Sequence, residues 1–420
     1  MAGSGLAMPF ANGVGSAATF SSPFGIVIDA SGIGYVADYA NSRVRQIVVS
    51  TGAVTTLAGS GTAASTDGTG TAAAFSQPLY VALDGLGNLY VTDFNKHEIR
   101  KVVLSTRAVT TVAGTGLVGA ANGVGVTASF RYPRGIACDF NGNAYVADSA
   151  NNCIRKIVLS SATVTTLAGS ATASATNGVG TAAGFSNPRS VVVDSSGALL
   201  FVVDSGNHLI RQIVIATRTV TTLAGSAGTV GAANGIGVAA QFNTPVGLAC
   251  DSIGNVYVGD AGSNLIRQIV ISTRQVTTLA GPGTASWTDG FGTASLAIDE
   301  RSNLFAVEYA SHRVRVMQPT VPCPAGLYCA PGVEAVPCTP GYFCALGADR
   351  VACAVGFYCP SGSTSPTQVA CPAGAFHCPA GASAPVSIAC AAGYDSFDHM
   401  LSFMLHLRWF VHHLLLSFFM

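Results

Sequence analysis

Short apolar runs, bounded by Gly, Asn, Ser and Pro, recur along the first 320 residues of this 420-residue chain. One stretch contains Gly135–Asp139, Asn143–Asp148, Ile154–Leu159 and Thr163–Ala168, which are rich in Val, Ile, Thr and Tyr. These residue types favour β-strands, and Asn-Gly or Ser-Gly between them favours tight turns. No segment before residue 320 combines a helical period with helix caps. The pattern therefore predicts units of four short strands.

The unit is repeated, and three of its positions are charged. The acid that closes the second strand recurs after 55, 55, 56, 56 and 48 residues, at Asp38, Asp93, Asp148, Asp204, Asp260 and Glu308. A second acid recurs at Asp29, Asp84, Asp139, Asp194, Asp251 and Asp299, and an arginine at Arg45, Arg100, Arg155, Arg211, Arg267 and Arg315. One four-stranded sheet cannot bury both of its faces alone. Six consecutive units therefore predict an all-β, six-bladed β-propeller.

The segment PRGIACDFNGNAYVADSANNCIRKI (133–157) resembles the NHL repeat, as do the TVTTLAGS and NGVGTAAGFSNP segments of the chain. The resemblance covers residues 3–318 and implies an NHL propeller over residues 1–318. The family includes ligand-binding, RNA-binding and adhesive members, with enzymes on related propellers, so it implies no single activity. The sixth unit lacks the Phe-x-x-Pro-x-Gly segment and a fourth strand. Residues 2–5 match the segment that follows a fourth strand, so we expect an incomplete last blade and missing upstream sequence.

The loops indicate which face of the propeller binds. The fourth-to-first connections, such as residues 114–134, are long and share a face with the second-to-third connections. Loops of this length are usually functional or disordered, so this long-loop face is the predicted binding face. The position after the loop proline holds Arg134 and Arg189 in neighbouring blades, with Arg131 and Tyr132 close in sequence. Paired guanidinium groups beside an aromatic ring suit a carboxylate, phosphate or sugar-acid ligand.

Other repeated features favour structural roles. The loops contain Asn/Asp-Gly-x-Gly in every unit, which suits a turn with positive φ better than a phosphate cradle, because it lies among strands without a βαβ unit. His97, His208 and His312 hold one position at the second-to-third hairpin. Histidines in separate blades would stand on the order of 20 Å apart, by the usual ~4.8 Å strand spacing, so we expect turn residues and no zinc site. Cys138 and Cys250 are expected in the core.

Residues 319–395 form a second, cysteine-rich region. Its cysteines first alternate gaps of five and eight residues, and the candidates for disulfides are Cys323, Cys329, Cys338, Cys344, Cys353, Cys359, Cys371 and Cys378. No Cys-x-x-Cys pair of a zinc ribbon occurs there. Much Pro and Gly with few large apolar residues predicts a small core that disulfides must hold. The region resembles the ephrin-receptor-like cysteine-rich repeats of extracellular proteins, and it predicts an oxidising compartment with the pairing left open.

The two ends of the chain bear on localisation. Residues 396–420 form a hydrophobic segment, and 15 of the 21 residues from 400 to 420 are apolar, which predicts a membrane anchor or a non-native end. Arg408 lies in its middle and disfavours a span. The N-terminal residues lack the charged and apolar regions of a signal peptide. We still expect an extracellular or cell-surface protein, because of the cysteine-rich region.

Composition narrows the function. Lys+Arg and Asp+Glu number 20 each, and this zero net charge argues against a nucleic-acid binder. No Gly-x-Ser-x-Gly, His-Glu-x-x-His or Walker loop occurs, so no catalytic residue, metal or cofactor is predicted. We therefore expect a non-enzymatic recognition, adhesion or scaffold protein that binds a protein or glycan. The alternatives are a propeller hydrolase or lyase with a metal in the channel, and RNA binding through the long-loop face.

Overall fold

The computed structural model describes residues 2–4, 10–281 and 293–317, and short pieces of the chain between 327 and 387. The chain divides into two compact units, residues 1–317 and 318–420. Among its described residues, the first unit contains six antiparallel sheets in chain order, five of them with five strands and the last with three. The innermost strand of each sheet packs against those of its two neighbours, and the sixth packs against the first. The all-β, six-bladed propeller predicted from the sequence is confirmed.

The strands repeat from blade to blade with nearly constant bounds. The innermost strands are Pro23–Ile28, Pro78–Leu83, Pro133–Cys138, Pro188–Val193, Gly247–Cys250 and Thr293–Ile298. The second strands are Ile33–Asp38, Asn88–Asp93, Asn143–Asp148, Leu199–Asp204, Asn255–Asp260 and Leu304–Glu308. The third strands are Arg43–Val48, Glu98–Val103, Cys153–Val158, Leu209–Val214, Leu265–Val270 and Arg313–Met317. The fourth strands are Ala53–Ala58, Ala108–Ala113, Thr163–Ala168, Thr219–Ala224 and Gln275–Ala280.

The sequence predicted four strands a blade, and five blades have a fifth strand that it missed. These two-residue outer strands are Gly13–Val14, Gly68–Thr69, Gly123–Val124, Gly178–Val179 and Gly235–Ile236. Each pairs antiparallel with the fourth strand of its blade. A 3-10 turn follows each one, at Gly15–Ala17, Gly70–Ala72, Gly125–Thr127, Gly180–Ala182 and Gly237–Ala239. The long loop is thus ordered along the outer edge of the blade.

The Asn/Asp-Gly-x-Gly motif builds this outer edge. Its second glycine has a positive φ, +57° at Gly125, where a residue with a Cβ is strained. The asparagine of the motif also forms hydrogen bonds. In blade 3, Asn122 Oδ1 accepts one from Arg155 Nη2 at 2.8 Å. Thr166 on the fourth strand donates to the same oxygen at 3.3 Å. The motif therefore ties the long loop to the third and fourth strands of its blade.

A buried ion pair lies inside each five-stranded blade. The arginine of the third strand and the aspartate of the second both have side chains with 0% exposure, at 2.9–3.4 Å. In blade 3, Arg155 Nη1 also donates to the carbonyl oxygen of Ser129 at 3.0 Å. The guanidinium stacks over Phe130, 5.2 Å from the ring centroid. A buried charge needs this many partners, because an unpaired one costs several kcal/mol.

The core lies between the blades. In one of its clusters, Val44 and Ala58 of blade 1 pack with Phe75, Val91 and Val102 of blade 2. Five phenylalanines of the long loops occupy this position and are fully buried: Phe20, Phe75, Phe130, Phe185 and Phe242. Each ring therefore joins its own blade to the preceding one, which is how the apolar faces of the sheets are covered.

The sixth blade has three strands among the described residues. Ala2 forms an antiparallel bridge with Val314 through hydrogen bonds of 3.2 and 2.9 Å. In blade 1 the corresponding pair is Ala58 with Val44. Ala2 therefore takes the place of the last residue of a fourth strand, a pairing that the sequence interpretation did not include.

The cysteine-rich unit is described only in short pieces. Two-residue strands pair as Leu327–Tyr328 with Val336–Pro337 and Tyr342–Phe343 with Val351–Ala352. Two further pairs are Phe357–Tyr358 with Val369–Ala370 and Phe376–His377 with Val386–Ser387. Of the eight candidate disulfide cysteines, Cys359 alone lies within the described residues. The hydrophobic segment 396–420 lies outside them.

Replacing Arg155 with leucine tests the buried ion pair. The change leaves the Asp148 carboxylate buried without its counter-charge, so we expect the free energy of unfolding to fall by about 3–5 kcal/mol. Chemical denaturation followed by circular dichroism measures this. Arg301→Leu, at an exposed turn, is the matched control and should change stability by less than about 0.5 kcal/mol. Equal effects of the two substitutions would contradict the role of the pair.

Candidate binding site at the channel mouth

The innermost strands surround a central channel, and one side chain crosses it. Tyr80 donates from its hydroxyl to the carbonyl oxygens of Val246 at 3.2 Å and Ala294 at 3.0 Å. Val246 belongs to blade 5 and Ala294 to blade 6, on the far side of a six-membered ring from blade 2. Tyr80 is 5% exposed, and burial raises the pKa of its hydroxyl. The tyrosine therefore separates an upper mouth, on the long-loop face, from the channel below it.

Small residues at the repeat position of Tyr80 let adjacent innermost strands approach each other closely. The same repeat position holds Gly25, Gly135, Ser190, Gly247 and Ser295 in the other five blades. A Cβ on Gly25 would lie 2.5 Å from the Cα of Tyr80, closer than real Cβ contacts. The sequence interpretation missed Tyr80. The available signal was one large side chain at a position that is otherwise Gly or Ser.

Below Tyr80 the channel holds a cavity of about 350 Å³. Its walls come from the innermost strands and include Cys138 and Cys250, which are free thiols. Burial raises the pKa of Cys250 to about 12, and its Sγ donates to the carbonyl oxygen of Val193 at 3.2 Å. Such a thiol is protonated at neutral pH and is a poor nucleophile. These two cysteines therefore serve as lining residues.

Above Tyr80, the upper mouth contains two arginines. Arg134 and Arg189 are each the second residue of an innermost strand, in adjacent blades 3 and 4. In both strands the pairing register shifts just after the initial proline, a bulge that redirects the neighbouring side chains. The two half-buried guanidinium groups are close enough to interact: burial lowers the pKa of Arg134, and the charge of Arg189 lowers it further. Burial also lowers the pKa of Arg189.

Two groups of aromatic rings lie at this end of the channel, and one of them contacts Arg134. We call the set the aromatic collar, and its members are Phe24, Tyr39, Tyr80, Phe94, Tyr132 and Tyr309. Adjacent ring centroids in the collar lie 5.1–6.4 Å apart. The Arg134 guanidinium lies over Phe94 at 5.1 Å from the centroid, a cation–π contact. In the part of the chain that the structure describes, no carboxylate forms an ion pair with Arg134 or Arg189, and the Arg189 Nε is buried without a hydrogen-bond partner.

The four predicted site residues fall into two groups. Arg134 and Arg189 interact at the mouth, and Tyr132, 39% exposed, stands beside Phe94 in the collar. Arg131 is exposed, and its main-chain N–H donates to Asp148 Oδ1 at 2.7 Å. Its main chain thus takes part in the packing of the blade, and no contact among the residues that the structure describes places its side chain in the collar.

The repeated histidines hold neighbouring blades together. His97 has a left-handed backbone, φ +57°, and its Nδ1 accepts the main-chain N–H of Tyr132 in the next blade at 3.2 Å. His208 and His312 do the same for Thr244 and Ser22. Within the described ranges, no three His, Cys, Asp or Glu side chains lie close enough to hold a metal ion. The contact also fixes the backbone of the collar residue Tyr132.

Comparison with known proteins identifies the repeat. The model of the NHL repeat matches residues 130–157, the segment that contains Tyr132 and Arg134. The chain is thus a six-bladed propeller with a segment that matches the NHL repeat. It is 30% identical over 275 residues to the protein SUPPRESSOR OF QUENCHING 1, chloroplastic, of Arabidopsis thaliana, covering 62% of this chain and 26% of that protein. It is 28% identical over 302 residues to human NHL repeat-containing protein 2, covering 64% of this chain and 41% of that protein.

The chain thus spans less than half the length of these relatives. Among solved structures, it resembles a Bacteroides thetaiotaomicron protein of unknown function with a TM-score of 0.58 and 18% identity, covering 75% of this chain and 74% of that one. It also resembles an auxiliary nutrient binding protein of the same species, with a TM-score of 0.54 and 14% identity over 72% and 70% of the two chains. At these identities the likeness shows the propeller fold alone.

Acidification tests the histidine contact. Burial and then the charge of Lys96 lower the pKa of His97, so the folded protein disfavours its protonated form. Below about pH 6.5 the unfolded chain takes up a proton that the folded propeller resists. The stabilisation by neutral His97 is thus complete above this pH and decreases as the pH falls below it. Denaturation at several values between pH 7 and pH 5 measures the decrease.

The matched variant for this test is His97→Asn. Asn152 holds the same position in blade 3 and accepts the N–H of Asn187 at 2.9 Å, so asparagine keeps the hydrogen bond without a titrating ring. We expect a smaller loss of stability between pH 7 and pH 5 in the variant than in the parent. Buried carboxyl groups titrate in both proteins and cancel in the comparison. Identical pH profiles would exclude the contribution of His97.

Proposed function

We propose that the NHL propeller is a non-enzymatic recognition module that binds an anionic group of a protein or glycan at the upper mouth of its channel. The observation that carries the proposal is the pair Arg134 and Arg189, half-buried at the same position of adjacent innermost strands and without a carboxylate partner among the described residues. An anion placed between them would offset both the desolvation of the guanidinium groups and their mutual repulsion. Each charge-assisted hydrogen bond formed contributes about 1.5–3 kcal/mol.

The chemical nature of the mouth supports binding rather than proton transfer. Arginine keeps its proton in proteins, so Arg134 and Arg189 serve as fixed cations and planar donors. The aromatic collar adds rigid rings that can cover a sugar ring or an apolar side chain next to the anion. Carboxylates, phosphates and sugar acids share the required charge and acceptor geometry.

For localisation, we propose an extracellular or cell-surface protein whose cysteine-rich region is stabilised by disulfides, with membrane attachment through residues 400–420. Support comes from Cys359, which is buried and disulfide-bonded. Such bonds persist in oxidising compartments. Along the described part of the chain, no helix is both long and apolar enough to span a membrane, and residues 400–420 lie outside that part.

Titration with defined anions tests the binding site. The probes are inorganic phosphate and oligogalacturonate, with neutral galacto-oligosaccharide as the uncharged counterpart, and isothermal titration calorimetry gives the affinities. We expect the charged probes to bind, more weakly at higher salt, and the double variant Arg134→Gln/Arg189→Gln to bind them at least tenfold more weakly, since two charge-assisted contacts are lost.

Arg131→Gln is the matched control, because it removes an exposed arginine from the same loop without touching the aromatic collar. Its affinity should stay within twofold of the parent value. Failure of both charged probes to bind, equal binding of the neutral oligosaccharide, or an unchanged affinity in the double variant would each contradict the proposal.

A further inference from the structure

The lower end of the channel is ringed by apolar side chains. Each innermost strand begins at the long-loop face, so its last residue lies near the opposite face, which the first-to-second turns form. These last residues are half-buried and line the cavity below Tyr80, and they are Ile28, Leu83, Cys138, Val193, Cys250 and Ile298. We call this set the lower ring. Every blade therefore contributes an apolar side chain or a thiol to the lower part of the channel.

The cavity has the volume and walls of a small-molecule site. It measures about 350 Å³. Small-ligand pockets range over roughly 300–1,000 Å³, and an apolar cavity of about 150 Å³ already holds a benzene ring. Its lining consists of described residues of all six innermost strands and Phe140, and none of them has a charged side chain. The lower ring lies three residues below Tyr80, a length of about 10 Å at ~3.3 Å per residue, which suits an elongated molecule.

The cavity opens at the lower face. Its upper end is closed by Tyr80, whose hydroxyl is held by the carbonyl oxygens of Val246 and Ala294. Phe140 lines the cavity and is 82% exposed, so the cavity reaches solvent at the first-to-second turns. A Cβ on Gly85 would lie 3.7 Å from Cε1 of Phe140, which places this ring beside the neighbouring turn of blade 2. A ligand would therefore enter past Phe140, on the face opposite Arg134 and Arg189.

The turns around this entrance expose further apolar side chains. Leu86, on the turn next to Phe140, is 84% exposed, and Ile253 on the turn of blade 5 is 82% exposed. The turns of the other three blades hold small or polar residues at these positions. Exposed apolar side chains gathered at a concave opening are typical of a binding site.

The charge near the lower ring is negative. The residue that follows each member of the ring is the second repeated acid, an aspartate in all six blades. In blade 3, Asp139 Oδ1 accepts the main-chain N–H groups of Asn141 at 2.9 Å and Asn143 at 2.8 Å. These charges act on the cavity wall, because burial, followed by the charges of Asp194 and Asp251, raises the pKa of Cys250. An anionic ligand would be repelled here, and no cation in the described lining would offset the repulsion.

The main chain supplies hydrogen-bond acceptors inside the channel. An innermost strand pairs with the second strand along one edge, and its other edge faces the axis. The carbonyl oxygen of Val193 accepts from Cys250 Sγ at 3.2 Å, and those of Val246 and Ala294 accept from Tyr80. A carbonyl oxygen has two lone pairs, so the same edge can also accept a hydroxyl group of a ligand.

We infer that the cavity below Tyr80 binds one small, uncharged, mainly aliphatic molecule that carries a hydroxyl group, such as a medium-chain alcohol. Its aliphatic part would lie against the lower ring, and its hydroxyl would donate to a main-chain carbonyl oxygen of an innermost strand. Tyr80 separates this site from the upper mouth, so the inference does not depend on the function proposed for that mouth.

Two ligands of equal chain length, octan-1-ol and octanoate, test the inference. Each is used to displace N-phenyl-1-naphthylamine, a neutral fluorophore that brightens in apolar surroundings, from the full chain. We expect saturable binding of the fluorophore and displacement by octan-1-ol, with octanoate at least tenfold weaker, because burying an unpaired carboxylate is costly. Binding at the upper mouth would give the reverse order. This comparison changes the ligand only, so it does not depend on the folding of a variant.

Photolabelling then locates the site. An octanol that carries a diazirine group is irradiated with the full chain, and the labelled peptides are identified by mass spectrometry. We expect the label on the innermost strands, at or near Cys138 and Cys250, and on Phe140. An excess of octan-1-ol should suppress it.

Protein variants provide a third measurement. Cys250→Phe, which fills the cavity, should weaken the binding of octan-1-ol at least tenfold. Val124→Phe is the matched control, because it adds the same ring at a position on an outer strand that is 56% exposed, and it should leave the affinity within twofold. Arg134→Gln/Arg189→Gln should also bind octan-1-ol within twofold of the parent.

Any of four results would overturn the inference. They are displacement by octanoate as strong as that by octan-1-ol, a label confined to other parts of the chain such as residues 400–420, unchanged binding by folded Cys250→Phe protein, and no binding to the parent chain.

Discussion

A buried guanidinium is the constraint around which each complete blade is organised. In water-free surroundings the charge requires a carboxylate and several oxygen acceptors, and these come from separate parts of the repeat. For Arg155 they are Asp148 on the second strand, Ser129 in the long loop and Asn122 in the Gly-rich motif. One side chain thereby fixes the strand pair, the path of the loop and the fifth strand together.

The same contacts close the ring. The buried phenylalanine directly precedes the residue whose main-chain N–H donates to the aspartate. The contacts that stabilise the buried charge therefore also place a phenylalanine ring at the interface with the preceding blade. At the axis, glycine alternates with Tyr80, Ser190 and Ser295, which lets adjacent innermost strands approach closely. The same placement of the long loop therefore supplies hydrogen bonds to the buried charges within a blade and apolar packing between blades.

Distinct binding chemistry arises where single blades depart from this arrangement. Arg134 and Arg189 replace the apolar or aromatic residues that the other described blades place after the loop proline, such as Phe24 and Leu79. Phe140 lies at the lower entrance of the channel, at a turn position that holds small or polar residues in the other five blades. In a nearly symmetric ring, such local exceptions are what can distinguish one part of the surface from another.

The order of strands, the number of blades and the paired spacing of acid and arginine follow from the sequence, because they depend on contacts within about 50 residues. Arg134 and Arg189 could also be selected, since comparing repeats requires no coordinates. Closure of the ring, however, decides which residues of distant blades meet. The reach of Tyr80 to blades 5 and 6, the contact of the collar with Arg134 and the cavity below Tyr80 depend on side chains more than one repeat apart or on packing between blades. No spacing along the chain encodes those distances, so only the tertiary structure sets them.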